Sequence, residues 1–294
     1  MAGVRRSVPI PYESARLASW TVADLAAGAA DLYGQDRVYP ADSFLFTCHV
    51  WAYRDLASRL QPGALVLDLA CGEGYGTDEL ARAGHRAIGL DLEAPVLIEA
   101  ARQYKRPFVA GDAFRLPFGD ATFDAVGALQ TIEHVDATGA FVAECARVLK
   151  PGGVAYLTTP NIAQLPATAS KEFNPWHLRD FTPAELRAEL APHFTDTELF
   201  GQVLDESLPR VRALLELARR EWAVVDRVAQ VERTVRRFPG PLRVRARKLL
   251  YRLRGVGAWP NPAAEAARNA IRPEDFRAAP DPDASGCTIA ICRR

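Results

Sequence analysis

The sequence lacks any apolar run approaching the roughly 18 residues that cross a bilayer, although 49% of its 294 residues are hydrophobic. Its opening, MAGVRRSVPIPYES, has no apolar core of the kind a signal peptide needs. Both absences lead to the expectation of a soluble cytoplasmic protein. Cysteines are few and follow no C-x-x-C pattern: Cys48, Cys71, Cys145, Cys287 and Cys292 are an odd number. That argues against a disulfide framework and against a structural zinc site. There is no internal repeat and no low-complexity tract, and the formal net charge is zero. The zero conceals a bias, because residues 206–271 carry fifteen Arg or Lys against six acids.

What is present is alternation. From about Gly63 to Cys292, short apolar runs alternate with helical patterns, the signature of an α/β fold with a parallel sheet covered by helices. Strands are predicted at Leu65–Leu69, Ala87–Asp91, Phe108–Ala110, Phe123–Leu129, Val154–Thr159 and Thr197–Leu204, with a last one in GCTIAICRR. Helices are predicted at Gly76–Ala83, Pro95–Gln103 and Ala137–Leu149. VLKPGGVAYL reads as a helix end, a Pro-Gly-Gly turn and the next strand. In DFTPAELRAEL, Thr182 suits a cap, Pro183 a first turn and Glu185 a capping box. The expected organisation is an N-terminal helical lid over residues 1–60, a nucleotide-binding core over 61–205, a basic helical insertion over 206–280, and a final core strand over 281–294.

The stretch VLDLACGEGYG ends the first strand in glycines at alternate positions. Ligands of open parallel sheets bind beyond the carboxyl ends of the strands, which is where the Ala70–Gly76 loop falls. Gly72, Gly74 and Gly76 remove side chains where a ligand must meet main chain, and the helix start behind them offers N–H groups to a carboxylate. Asp68 either accepts from an ammonium group or orients the loop. Asp91 closes the second strand 23 positions later, the distance at which a carboxylate meets ribose hydroxyls. Asp112, in AGDAF, ends the third strand and suits an adenine amino group, with Phe114 or its neighbours against the ring. Three acids at successive strand ends describe one nucleoside with an amino-acid tail. A dinucleotide would want G-x-G-x-x-G, and the spacing here is G-x-G-x-G.

These residues resemble class I S-adenosylmethionine-dependent methyltransferases over roughly Gly63 to Leu204 plus the final strand. VLDLACGEGYG is similar to that family's first motif, GLDL to its second, GDAFRLPFGDATFDAV to its third, and RVLKPGGVAYLTTPN to its post-catalytic region. The resemblance implies a Rossmann-like sheet of seven strands with helices on both faces and the last strand antiparallel. It implies S-adenosylmethionine as cofactor, held by Asp68, Ala70, Cys71, Gly72, Gly74, Tyr75 and Gly76, by Asp91 and Leu92, by Asp112, Ala113 and Phe114, and by Leu129 and Gln130. Within the family, TPN…FNPWHLRDFTPAEL together with ACGEGYG resembles branches that methylate hydroxyls of sugars, glycans and related small molecules, lipopolysaccharide and glycosylated redox cofactors such as mycofactocin among them. N- or C-methylation of another metabolite, and a catalytically silent cofactor-binding protein, stay open as alternatives.

Sugar hydroxyls need a proton acceptor, and histidine is the default base near neutral pH. His177, in NPWHLRDF, and His134, in LQTIEHV, are the candidates; His49 is within reach from the N-terminal helices, while His85 and His193 read as peripheral. Some relatives bind a divalent cation through Glu-x-x-Glu-His at this place. Here Gln130 replaces the first acid, which leaves Glu133 and His134 as weak metal candidates and no metal as the expectation. The basic insertion reads first as a lid with a solvated face. Contact with a phosphate-bearing carrier or a membrane surface, and a homodimer contact, are its functional alternatives; nucleic acid is not expected, because no aromatic RNA-binding motif accompanies the charge.

Overall fold

The computed structural model describes residues 44–164, 177–213 and 271–294. Residues Cys48–Val203 and Phe276–Arg294 belong to one compact unit, and Leu204–Asp275 to a second. Among the described residues the first holds the helices α1 (Phe44–Ser58, its start lying before the unit), α2 (Tyr75–Arg82), α3 (Ala94–Tyr104), α4 (Thr138–Val148) and α5 (Pro183–Leu190). Its strands are β1 (Leu65–Leu69), β2 (Arg86–Asp91), β3 (Phe108–Ala110), β4 (Phe123–Leu129), β5 (Leu149–Pro160), β6 (Asp196–Leu204), β7 (Phe276–Ala279) and β8 (Cys287–Arg293). They form one sheet in the order β3-β2-β1-β4-β5-β8-β6-β7. Pairings from β3 through β5 are parallel, and β8 runs antiparallel to both β5 and β6.

Three expectations change. The sheet has eight strands rather than seven, because β7 falls inside the segment 206–280 read as a mostly helical insertion. The Pro-Gly-Gly segment is a bulge within β5 instead of a turn before it: Phe123 pairs with Leu149, and register resumes only at Ala125 with Val154. Gly152, at φ 77°, supplies the left-handed residue this detour needs. The expected lid is described only in α1, and the basic insertion only at its ends; the rest of both lies outside the described residues. At those ends the buried Asp275 carboxylate accepts from the Arg210 guanidinium and from the Arg272 N–H.

Alternation along the strands divides the sheet into two faces. Leu67 of β1 pairs with Val126 of β4, and both join Phe141, Val142 and Cys145 of α4 and Leu186 and Leu190 of α5 in the main core. The other face carries Asp68, Gly127 and Tyr156, which are register partners across β1, β4 and β5. Helix α1 crosses that row. Tyr53 Oη donates to Asp68 Oδ1 at 2.9 Å, Leu56 lies over Gly127, and Asp55 Oδ2 accepts from Tyr156 Oη at 2.9 Å. Thr182 and Glu185 form the expected capping box at the start of α5.

Asp68 is fully buried and also accepts from Thr77 Oγ1 at 2.6 Å, so both carboxylate oxygens have partners. Burial raises its pKa from 3.8 to about 6, against the two hydroxyl donors. The folded state therefore holds this proton more tightly than the unfolded chain, and stability falls as pH rises through about 4 to 6. Asp68→Asn should remove roughly 2–3 kcal/mol of that slope, read as the difference between parent and variant in urea unfolding across the window; parallel curves would refute it. Gly76 shows a second constraint, since a Cβ there would fall 1.9 Å from Cζ of the Tyr53 ring. A rigid ring cannot give way, so Gly76→Ala should cost about 1–3 kcal/mol by overpacking, despite alanine's better helix propensity. Gly127→Ala should cost less, because its one close approach is to the mobile end of Leu56 at 2.9 Å, with Leu129 at an ordinary 3.7 Å; equal unfolding midpoints for the two variants would contradict this.

Candidate active site

The strand order reverses between β1 and β4, and the loops after these strands open at the same end of the sheet, the position of ligand crevices in open α/β folds. Both strands end in a non-glycine residue forced into the left-handed region, Ala70 at φ 57° and Gln130 at φ 51°. Such backbone persists only where its surroundings hold it, and it clusters at ligand sites. Gln130 is held by its N–H on Thr158 O at 2.9 Å and its amide nitrogen on Thr158 Oγ1 at 3.0 Å. After Ala70 the chain turns through Cys71, whose N–H donates to Leu90 O at 3.0 Å. Gly72, at φ 54°, donates its N–H to Asp91 Oδ2 at 2.9 Å.

The glycines divide in purpose. Gly72 and Gly74 both take left-handed backbone, at φ 54° and 81°, while the space beside Gly74 and Gly76 is filled by protein. A Cβ at Gly74 would meet Phe108 at 2.5 Å and Ala100 at 2.9 Å, and one at Gly76 would meet Tyr53. Their bareness lets α2 sit close to β3, α3 and α1. Asp68 is wholly buried and accepts from hydroxyls on two helices, Tyr53 and Thr77, contacts that fit the loop-orienting one of the two roles read for it. Neither partner stood out in the sequence, and only the position of Thr77, directly after the glycine motif, could have signalled it. Tyr75 stacks on His49, with His49 Nδ1 2.8 Å from its hydroxyl; burial lowers the His49 pKa to about 4, so its imidazole is neutral.

The two remaining acids stay available. Asp91 Oδ1 accepts from Glu93 N–H at 3.0 Å and Oδ2 from Gly72 N–H. Each oxygen thus keeps a lone pair for a further donor. Asp112 Oδ1 accepts from Phe114 N–H at 2.8 Å, which leaves Oδ2 as an acceptor. Leu92 beside Asp91 is exposed, Ala113 and Phe114 are half-buried against the core, and Leu129 is buried.

A second cluster lies past β4. The turn Ile132–His134 buries Glu133 and His134, and the Glu133 carbonyl accepts from the N–H groups of Leu178 and Arg179 at 2.8 and 3.2 Å. Together with the Asn161–Phe181 bridge at the end of β5, these bonds bring His177 beside His134, with ring centroids 4.9 Å apart and planes at 80°. The two candidate bases, 43 positions apart in sequence, are thus neighbours. His177 Nδ1 lies 3.2 Å from Asp180 Oδ1, and burial lowers its pKa against that carboxylate. Glu133 Oε2 accepts from Thr159 Oγ1 at 3.0 Å, and burial raises the pKa of this carboxyl to about 8. Sequence reading missed Asp180 and Thr159; the i, i+3 spacing of His177 and Asp180 is the one signal that could have found a partner. His85 and His193 lie outside this cluster.

Residues 67–157 match the methyltransferase domain family. The chain is 35% identical over 202 residues to a probable S-adenosylmethionine-dependent methyltransferase of Mycolicibacterium smegmatis, a match covering 67% of this chain and 75% of the relative. Among solved structures it resembles a possible histamine N-methyltransferase of Thermotoga maritima, with 15% identity, TM-score 0.53, and coverage of 84% of this chain and 91% of that one. It also resembles a phosphoethanolamine N-methyltransferase of Haemonchus contortus in complex with phosphomonomethylethanolamine and S-adenosylhomocysteine, with 18% identity, TM-score 0.50, and coverage of 83% and 52%. At these identities the likeness to both structures is one of fold. The domain match and a 35% identical relative covered over three quarters of its length make this chain a member of the S-adenosylmethionine-dependent methyltransferases, an enzyme family whose cofactor is the methyl donor itself.

Proposed function

We propose that this methyltransferase acts on a hydroxyl of a saccharide-containing small molecule or glycan, with His177 against the acceptor oxygen. The observation that carries the reading is the paired, buried His134 and His177 with Asp180 behind. S-adenosylmethionine supplies a methyl group on a sulfonium, which departs in line as the sulfur keeps the bonding electrons. An amine can attack with its own lone pair, whereas a hydroxyl must lose a proton. A neutral imidazole held at Nδ1 by a carboxylate presents Nε2 to accept it. That arrangement suits a hydroxyl acceptor better than an amine.

The donor's fit is read from the chain's own groups. Asp91 offers two carboxylate oxygens to the ribose hydroxyls, and Asp112 Oδ2 is offered to the adenine amino group. The start of α2 follows the glycine loop directly, and a helix N-terminus favours the carboxylate of the amino-acid end. Exclusion of water, which would otherwise solvate the attacking oxygen, is assigned to Ile132, Val135 and Phe181, buried apolar residues close in sequence to His134 and His177.

Incubating the purified protein with methyl-labelled S-adenosylmethionine and cell extracts should give a labelled sugar ether by mass spectrometry. Label on nitrogen or carbon would overturn the hydroxyl reading. Asp91→Ala should weaken cofactor binding by roughly 1.5–3 kcal/mol, the range of hydrogen bonds to charged groups; an unchanged calorimetric titration would remove the ribose assignment. His177→Ala should lower turnover by roughly 100-fold or more with cofactor affinity retained, and normal turnover would sink its role.

A further inference from the structure

We propose that Glu133, His134 and His177 form a binding site for one first-row transition-metal dication. A nitrogen from each imidazole and a carboxylate oxygen of Glu133 all lie within 4.8 Å of one another. Three ligands on a tetrahedral ion at about 2.1 Å stand roughly 3.4 Å apart, so the longest separation need close by little more than an ångström, within reach of side-chain rotation. Glu133 Oε1 supplies a second, independent observation. It is buried without a hydrogen-bond partner, while Oε2 is satisfied by Thr159. A buried acceptor left unmet is costly, and at 4.0 Å from His134 Nε2 this one is too distant for a hydrogen bond yet aimed into the cluster.

The surroundings match what metal sites require. The Asp180 carboxylate at His177 Nδ1 is the partner that orients an imidazole and leaves Nε2 to a ligand. Thr159 fixes the second oxygen of Glu133 in the same way. The side chains of Glu133, His134 and His177 are 1%, 6% and 6% exposed, so little water competes. Two imidazoles with one carboxylate select zinc, cobalt or iron over magnesium or calcium, which want oxygen. Three protein ligands also leave a coordination position for an acceptor oxygen.

The role of the ion rests on the hydroxyl reading above, but the site itself does not. In the loaded protein His177 is a ligand, and the ion replaces it as the agent that frees the acceptor. A coordinated hydroxyl loses its proton to solvent as it binds, before water is excluded, and keeps its electron pair; that pair forms the new O–C bond as the S–C bond breaks toward sulfur.

The test uses the full chain, stripped with chelator and titrated with cobalt(II) by visible ligand-field absorption and with zinc(II) by calorimetry. One ion per chain is expected, with affinity falling roughly tenfold or more in His134→Ala and Glu133→Gln and unchanged in His193→Ala. If Glu133→Gln does not fold by circular dichroism, His134→Gln reads the same ligand set. No stoichiometric uptake, or equal uptake in parent and cluster variants, overturns the site. A labelled sugar ether formed by protein that takes up no cobalt also overturns it, whereas label on nitrogen with uptake intact supports the site and rejects only the hydroxyl reading.

Discussion

A carboxylate inside the sheet organises this molecule. Asp68 has no access to water, and its two oxygens are met by hydroxyls from different elements, Tyr53 on α1 and Thr77 on α2. A buried acid is tolerated only when its acceptor sites are filled, so α1, β1 and α2 must come together before the loop between β1 and α2 takes its shape. The Tyr53 ring then occupies the space that Gly76 leaves open, and Phe108 occupies the space beside Gly74. The loop that carries Gly72 to Asp91 is thus braced from both sides by protein.

That bracing separates two kinds of chemistry. At β1, β2 and β3 the acids keep acceptor capacity, and the main chain is bent where a ligand approaches; this end suits a cofactor held by oriented hydrogen bonds. Past β4 and β5 the polar groups are buried and mutually close, with the His134 and His177 rings edge to face and one oxygen of Glu133 without a hydrogen-bond partner. Low dielectric strengthens each interaction there and makes an unpaired oxygen expensive. A fold shared with many methyltransferases accounts for the first end. The second is built from the loops after β4 and β5, and the fold does not itself fix what such loops do.

Much of this was legible in the chain. Strands β1, β3 and β4 stand at the residues that apolar runs bounded by turn signals indicated, and the capping box before α5 could be read letter by letter, because these features depend on neighbours a few positions away. The eighth strand was not legible: β7 sits on a sheet edge beside β6, and an edge strand of four residues carries too little periodicity to distinguish it from the helical pattern before it. The bulge in β5 escaped for a related reason, since a Pro-Gly-Gly segment marks a break in pairing without saying whether the strand resumes its register.

The sequence by itself determined the α/β class and the place of the glycine loop and of the acids that follow it, because spacing along successive strand ends translates directly into position at one edge of a parallel sheet. Only the tertiary structure decided that Gly74 and Gly76 must also be bare for a neighbouring ring, since that depends on Phe108 and Tyr53 arriving from elsewhere in the chain. It likewise decided that His134 and His177 meet. Their meeting is arranged by two main-chain N–H groups closing on the carbonyl of Glu133, a bond that every residue but proline can donate and that leaves no mark in the order of side chains.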